Sequence, residues 1–125
     1  MSTPVMVTRY LARTILVVQL VLGILFWTGH ADGLIDVHAL VGLLLVLTLW
    51  VSATLGIRNG APIPMAVLAV LWSIGMVILG STQADILPGA AHPVVQVAHL
   101  LVGIVAVGLV EALARAGRER APSAA

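Results

Sequence analysis

Cysteine is absent from the 125-residue chain, which excludes a disulfide framework, Cys-ligated zinc, iron–sulfur clusters and thioether-attached haem. Lysine is absent too, and charge of either sign is scarce, with six arginines and five acidic residues making up 9% of the chain. A water-soluble domain carries about 25% charged residues, so this shortage excludes an ordinary soluble fold. No acidic or basic residue sits where it could form a mid-membrane proton relay, which argues against a coupled pump or an ion channel. Aromatic residues amount to only 4%.

What is present is apolar: 61% of residues are hydrophobic and the mean hydropathy is +1.15. Four apolar runs lie near residues 9–29, 34–57, 62–80 and 93–115. Each is long enough to cross about 30 Å of hydrocarbon as a helix of about 20 residues. The breaks between them carry helix-terminus chemistry. "HADG" at 30–33 ends the first run and offers Asp32 as an N-cap for the second. "RNGAP" at 58–62 joins a Gly stop to Pro62 at a helix start, and "AHP" at 91–93 sets Pro93 at the start of the fourth. Arg9 and Arg13 ahead of an apolar stretch resemble a secretory signal, but no A-x-A cleavage site follows "FWTGHADG", so this segment is read as the first span. The expected fold is all-α, an integral membrane four-helix up-down-up-down bundle forming a single domain over residues 1–125.

Arginine placement orients it. Arg9 and Arg13 precede span one, Arg58 lies between spans two and three, and Arg115, Arg118 and Arg120 close span four, while the other two loops hold no Lys or Arg. The positive-inside rule then puts both termini in the cytoplasm of a multi-pass inner-membrane protein. The loops bearing His30, Asp32, Asp85 and His92 face outward.

Histidine supplies the chemistry. "DVHALVGLLL" at 36–45 has a near copy in "VAHLLVGIVA" at 97–106, sixty-one residues later, and "HALVGL" agrees with "HLLVGI" at four of six positions. Each copy opens an even-numbered span, which points to an internal two-helix repeat. A weaker echo pairs "LGILFWTG" at 22–29 with "IGMVILGS" at 74–81. His38 and His99 fall about four and six residues inside parallel helices, roughly 6 to 9 Å deep at 1.5 Å per residue. In such a bundle helices two and four are diagonal partners across the core. Two imidazoles facing across a diagonal suit bis-imidazole ligation of haem iron, one on each face of the porphyrin. Gly42 and Gly103, each four residues after its His, would let a flat macrocycle approach the backbone. The bland alternatives are imidazoles hydrogen-bonded across helices and glycines at helix contacts, the latter being the reading for Gly23, Gly75, Gly80 and Gly108.

Weaker candidates surround this pair. His30 and His92 are read either as solvated loop residues, as contacts to haem propionates, or as an external metal site with Asp32 or Asp85. Gln19 is expected to make an interhelical hydrogen bond, and Glu111 to sit as an interface charge near Arg115. Trp27 and Tyr10 suit the interfacial aromatic belts, with Trp50 and Trp72 as packing residues.

The pattern "LGILFWTGHADGLIDVHALVG" followed by "HPVVQVAHLLVG" resembles one half of the haem A synthase family and, more loosely, other small membrane b-type cytochromes. The resemblance covers most of the chain at the level of architecture and implies a four-helix bundle with one haem between His38 and His99. Ile35 and Ala39 stand where the synthases have a glutamate and often an arginine. The outer-loop cysteine pair of many members is missing as well, so haem binding is carried over and the hydroxylation chemistry is not.

The expectation is a membrane b-type cytochrome with one haem b near the outer face, serving in electron transfer or as a redox subunit, since two axial ligands leave iron no site for substrate. Alternatives are a haem-modifying enzyme related to haem A synthase and a non-catalytic accessory subunit of a larger membrane complex. Expected partners are the lipid bilayer and a redox partner, a larger complex or a second copy of the chain; no nucleic acid is expected. Accessibility labelling tests the orientation. Single cysteines at positions 32 and 85 should react with an impermeant reagent added outside intact cells, and protection of either position would reverse the topology.

Overall fold

The computed structural model describes residues 1–120; the last five residues of the expected 1–125 domain lie outside the described residues. It is all-helical, with α1 over Thr3–Trp27, α2 over Ile35–Arg58, α3 over Ile63–Thr82 and α4 over His92–Arg120. All four are long and apolar enough to cross a membrane. Large side chains such as Leu40, Leu71, Ile78 and Leu101 stand exposed along them. In water those faces would be a liability for association, whereas lipid solvates them.

Helix ends depart from the apolar runs for local reasons. α1 starts six residues earlier than hydropathy suggests because Pro4, near its N-terminus, suits a first turn whose N–H groups have no intrahelical partner. α4 runs on to Arg120 because Ala, Glu and Arg favour helix whether or not lipid surrounds them. Asp32 does not cap α2: Ala31 takes a left-handed backbone (φ 62°) and a 3-10 turn over Asp32–Leu34 intervenes, leaving Leu34 at the cap position with no side-chain bond. Between α2 and α3 the chain reverses through Gly60 at φ 93°, and Pro62 holds the position before α3.

α2 and α4 form the centre, each packing along the other and along both remaining helices, while α1 and α3 flank them. The core is built from small and branched residues, with Ala12, Ala69, Ala106, Leu49, Val110 and Leu113 at 0–1% exposure. Small residues at the crossings let helix backbones approach closely, which supplies the packing that holds helices together in lipid. Hydroxyls do not need such neighbours: Thr14, Thr48 and Thr54 each donate to the carbonyl four residues earlier in their own helix.

One polar link crosses each of the four edges. Gln19 Nε2 on α1 donates to the His38 carbonyl on α2 at 2.9 Å. Trp50 Nε1 on α2 donates to Ser73 Oγ on α3 at 2.9 Å, and Trp72 Nε1 on α3 donates to the Val102 carbonyl on α4 at 2.9 Å. Glu111 on α4 accepts from Arg9 and Arg13 on α1, with N···O separations of 2.6 and 2.7 Å. The sequence-based pairing of Glu111 with Arg115 is therefore replaced by an interhelical triad: α4 turns Glu111 toward α1, where Arg9 and Arg13 lie one turn apart on a single face. Neutral interhelical hydrogen bonds in membrane bundles contribute about 0.6 kcal/mol each. The charged link is stronger, because Glu111 is only 17% exposed and losing its carboxylate strands Arg9 at a partly buried site.

Glu111→Leu should lower the stability of the folded bundle by about 2 kcal/mol, read from equilibrium unfolding in mixed detergent micelles. Arg13→Ala should cost distinctly less than Glu111→Leu, because the Arg13 side chain is 51% exposed and solvent screens its pair. Equal effects of the two substitutions would show that Glu111 does not depend on Arg9.

Candidate functional site

The fourth residue of α2 is His38 and the eighth of α4 is His99. The packing of α2 on α4 brings their rings together, with centroids 6.0 Å apart and planes inclined at 47°. Phe26 from α1 meets the His38 ring edge-on at 5.4 Å. Gly80 from α3 lies against the other ring, since a Cβ there would stand 3.2 Å from His99 Cε1. Each imidazole is thus backed by one flanking helix.

Polar accounting singles out this level of the bundle. Among the described residues, four buried side-chain polar atoms have no hydrogen-bond partner: His38 Nδ1, His99 Nδ1, Gln19 Oε1 and Ser52 Oγ. Three of the four belong to the histidine pair and to the glutamine bonded to the His38 carbonyl. A buried polar group without a partner costs about 1–3 kcal/mol, and three of the four gather at the level of the histidine pair. The spacing has a chemical meaning as well. Two imidazoles on opposite sides of one metal ion, each bonded through nitrogen at about 2 Å, have ring centroids roughly 6 Å apart.

The two glycines behave differently. At Gly42 the room left by the missing side chain is used by Gln19, whose Nε2 would stand 3.1 Å from a Cβ at that position. At Gly103 a Cβ would have nothing within 4 Å. Gly42 therefore has a local reason that involves no ligand, and Gly103 has none in the packing of the chain itself.

His30 lies in the connection between α1 and α2, and His92 is the first residue of α4. Nδ1 of His30 shares a hydrogen bond with Thr28 Oγ1 at 3.1 Å, and His92 Nδ1–H donates to the Ile86 carbonyl at 3.3 Å. Each bonds to the connection beside it. No group of three or more His, Cys, Asp or Glu residues able to hold a metal ion occurs among the described residues, so His30 and His92 do not assemble an external site of that kind with Asp32 and Asp85.

Two residues of the site escape sequence reasoning: Gly80, which reads there as a helix contact, and Phe26, which nothing singles out. No motif marks either one. The echo of 22–29 in 74–81 does carry both segments, and in the folded chain these segments back the two histidines. Comparison with known proteins adds nothing further: no family model, no curated protein and no solved structure matches the chain.

Proposed function

We propose that the chain is a membrane b-type cytochrome in which His38 and His99 are the axial ligands of a single haem b, acting in electron transfer or as a redox subunit. The observation that carries this reading is the pair itself: two imidazoles from the central helices, 6.0 Å between centroids, each with a buried nitrogen that no other group satisfies. Among the described residues, polar links cross all four edges of the bundle, whereas the α2–α4 diagonal has no direct one. His38 and His99 would supply it by holding one metal centre between them.

The residues present fit the group. Imidazole nitrogens suit iron, and Phe26 gives the His38 ring an apolar neighbour. Bound there, haem would supply a one-electron couple, with the hydrophobic shell and the two strong axial ligands setting its potential. His38 and His99 would hold the iron between them, and two strong protein ligands would favour electron transfer over oxygen activation. Gln19 holds the first turn of α2 through the His38 carbonyl and so keeps the ligand-bearing turn in register with α1. The contacts of the four helices fit an up-down-up-down course, since Phe26 near the end of α1 meets His38 near the start of α2, and Arg9 near the start of α1 meets Glu111 in the latter part of α4. With the arginines toward the cytoplasm, His38 and His99 lie near the outer face, and propionates would meet the segments bearing Thr28, His30 and His92.

His38→Ala and His99→Ala should each abolish a low-spin bis-imidazole spectrum in protein purified from haem-sufficient cells, while membrane insertion persists because it depends on apolar length. A six-coordinate low-spin haem surviving in either variant would place the ligands elsewhere.

A further inference from the structure

Buried hydroxyls in this bundle are satisfied within their own helices, with one exception. Among the described residues the buried hydroxyl side chains are Thr8, Thr48, Ser52 and Ser73. Three of them donate to a carbonyl three or four residues earlier, Thr8 to Val5 at 3.0 Å, Thr48 to Leu44 at 2.8 Å and Ser73 to Val70 at 2.7 Å. Ser52 does not. It is 4% exposed, and its Oγ has no hydrogen-bond partner. Ser52 also lines a small cavity where α1, α2 and α4 meet, together with Val5 and Thr8 from α1, Asn59 from the end of α2, and Val110 and Leu113 from α4. The cavity offers about 10 Å³ to a water-sized sphere, which is the room of one water molecule.

We propose that this cavity binds a single structural water that bridges Ser52 Oγ on α2 to Thr8 Oγ1 on α1. The proton accounting closes. Thr8 spends its one hydroxyl proton on the Val5 carbonyl and keeps its oxygen as an acceptor, whereas the Ser52 hydroxyl still has its proton to give. A water between them accepts from Ser52 and donates to Thr8. Asn59 is a third polar residue of the lining, available to the second proton of the water, and buried waters make about three hydrogen bonds to groups that otherwise lack partners. Cavities that stay dry have apolar walls throughout; this one does not. Gln19 ties the α1–α2 edge near the histidines, and the water gives the same edge a second link toward the end where Arg9 and Arg13 meet Glu111. A bridging water is nearly as good in enthalpy as a direct hydrogen bond. The site is separate from the His38–His99 pair and stands whether or not haem binds there.

The test compares Ser52→Ala in the otherwise unaltered protein with Ser52→Ala in a Thr8→Val background, each read by equilibrium unfolding in mixed detergent micelles. A serine bonded to water loses that bond on truncation, so Ser52→Ala alone should lower the folding equilibrium constant about five-fold, the usual size for one hydrogen bond. With Thr8→Val the water has already lost a partner, and the same truncation should cost about two-fold or less, because two residues that share one water are not additive. A crystal structure that resolves ordered water should show one within hydrogen-bond distance of both oxygens. A folding constant that rises in Ser52→Ala would mean that the hydroxyl is an unpaired burden, and an equal loss in both backgrounds would mean that it bonds to its own helix. Either result overturns the proposal. If Thr8→Val does not fold, the crystal structure decides, and Ser52 Oγ turned to a carbonyl of α2 with no water beside it overturns the proposal as well.

Discussion

Hydrocarbon solvates leucine on the outside of a helix as well as it does on the inside, so four apolar helices have no hydrophobic reason to associate in lipid. Close packing at small residues and the obligation to pair polar groups must hold them together instead. This protein meets that constraint with one polar link per edge, each made by a residue that would be costly to leave alone in lipid: Gln19, Trp50, Trp72 and Glu111. The links alternate in height. Gln19 acts near the histidines, whereas Glu111 clamps the opposite end to Arg9 and Arg13. Together they fix how α1 and α3 flank the central pair, and hence which residues back His38 and His99.

The same constraint explains why the histidines are informative. The structure satisfies Trp50 with Ser73 and turns threonine hydroxyls back onto their own helices, and His38 Nδ1 and His99 Nδ1 are two of the four buried side-chain polar atoms left without partners among the described residues. Their spacing, 6.0 Å between ring centroids, is what the proposed haem binding rests on.

Much of this is legible in the amino-acid order alone. The four helices follow from apolar length, and the His38–His99 juxtaposition follows from two matched motifs early in even-numbered spans. A bond from Gln19 follows from the rule that an isolated amide in lipid finds a partner. What is not legible depends on rotation about helix axes. An amphipathic helix announces its buried face through periodicity, but a helix that is apolar all round does not. That is why sequence spacing pairs Glu111 with Arg115 on its own helix, whereas the fold pairs it with Arg9 and Arg13 on α1. It is also why Trp50 and Trp72 read as packing and not as donors, and why Gly42 and Gly103 look alike in the chain and differ in the fold. Asp32 fails as a cap for a different reason, since the left-handed turn at Ala31 is a local backbone choice that no residue type there demands.

Everything functional here depends on His38 and His99 binding one haem between them. The most direct measurement is the visible absorption spectrum of the purified chain during titration with ferric haem and subsequent reduction. The expected result is saturation at one haem per chain with the sharp bands of a low-spin, six-coordinate b-type centre in both oxidation states. A second equivalent of haem bound with the same spectrum, a high-spin product, or no saturable binding at all would contradict it.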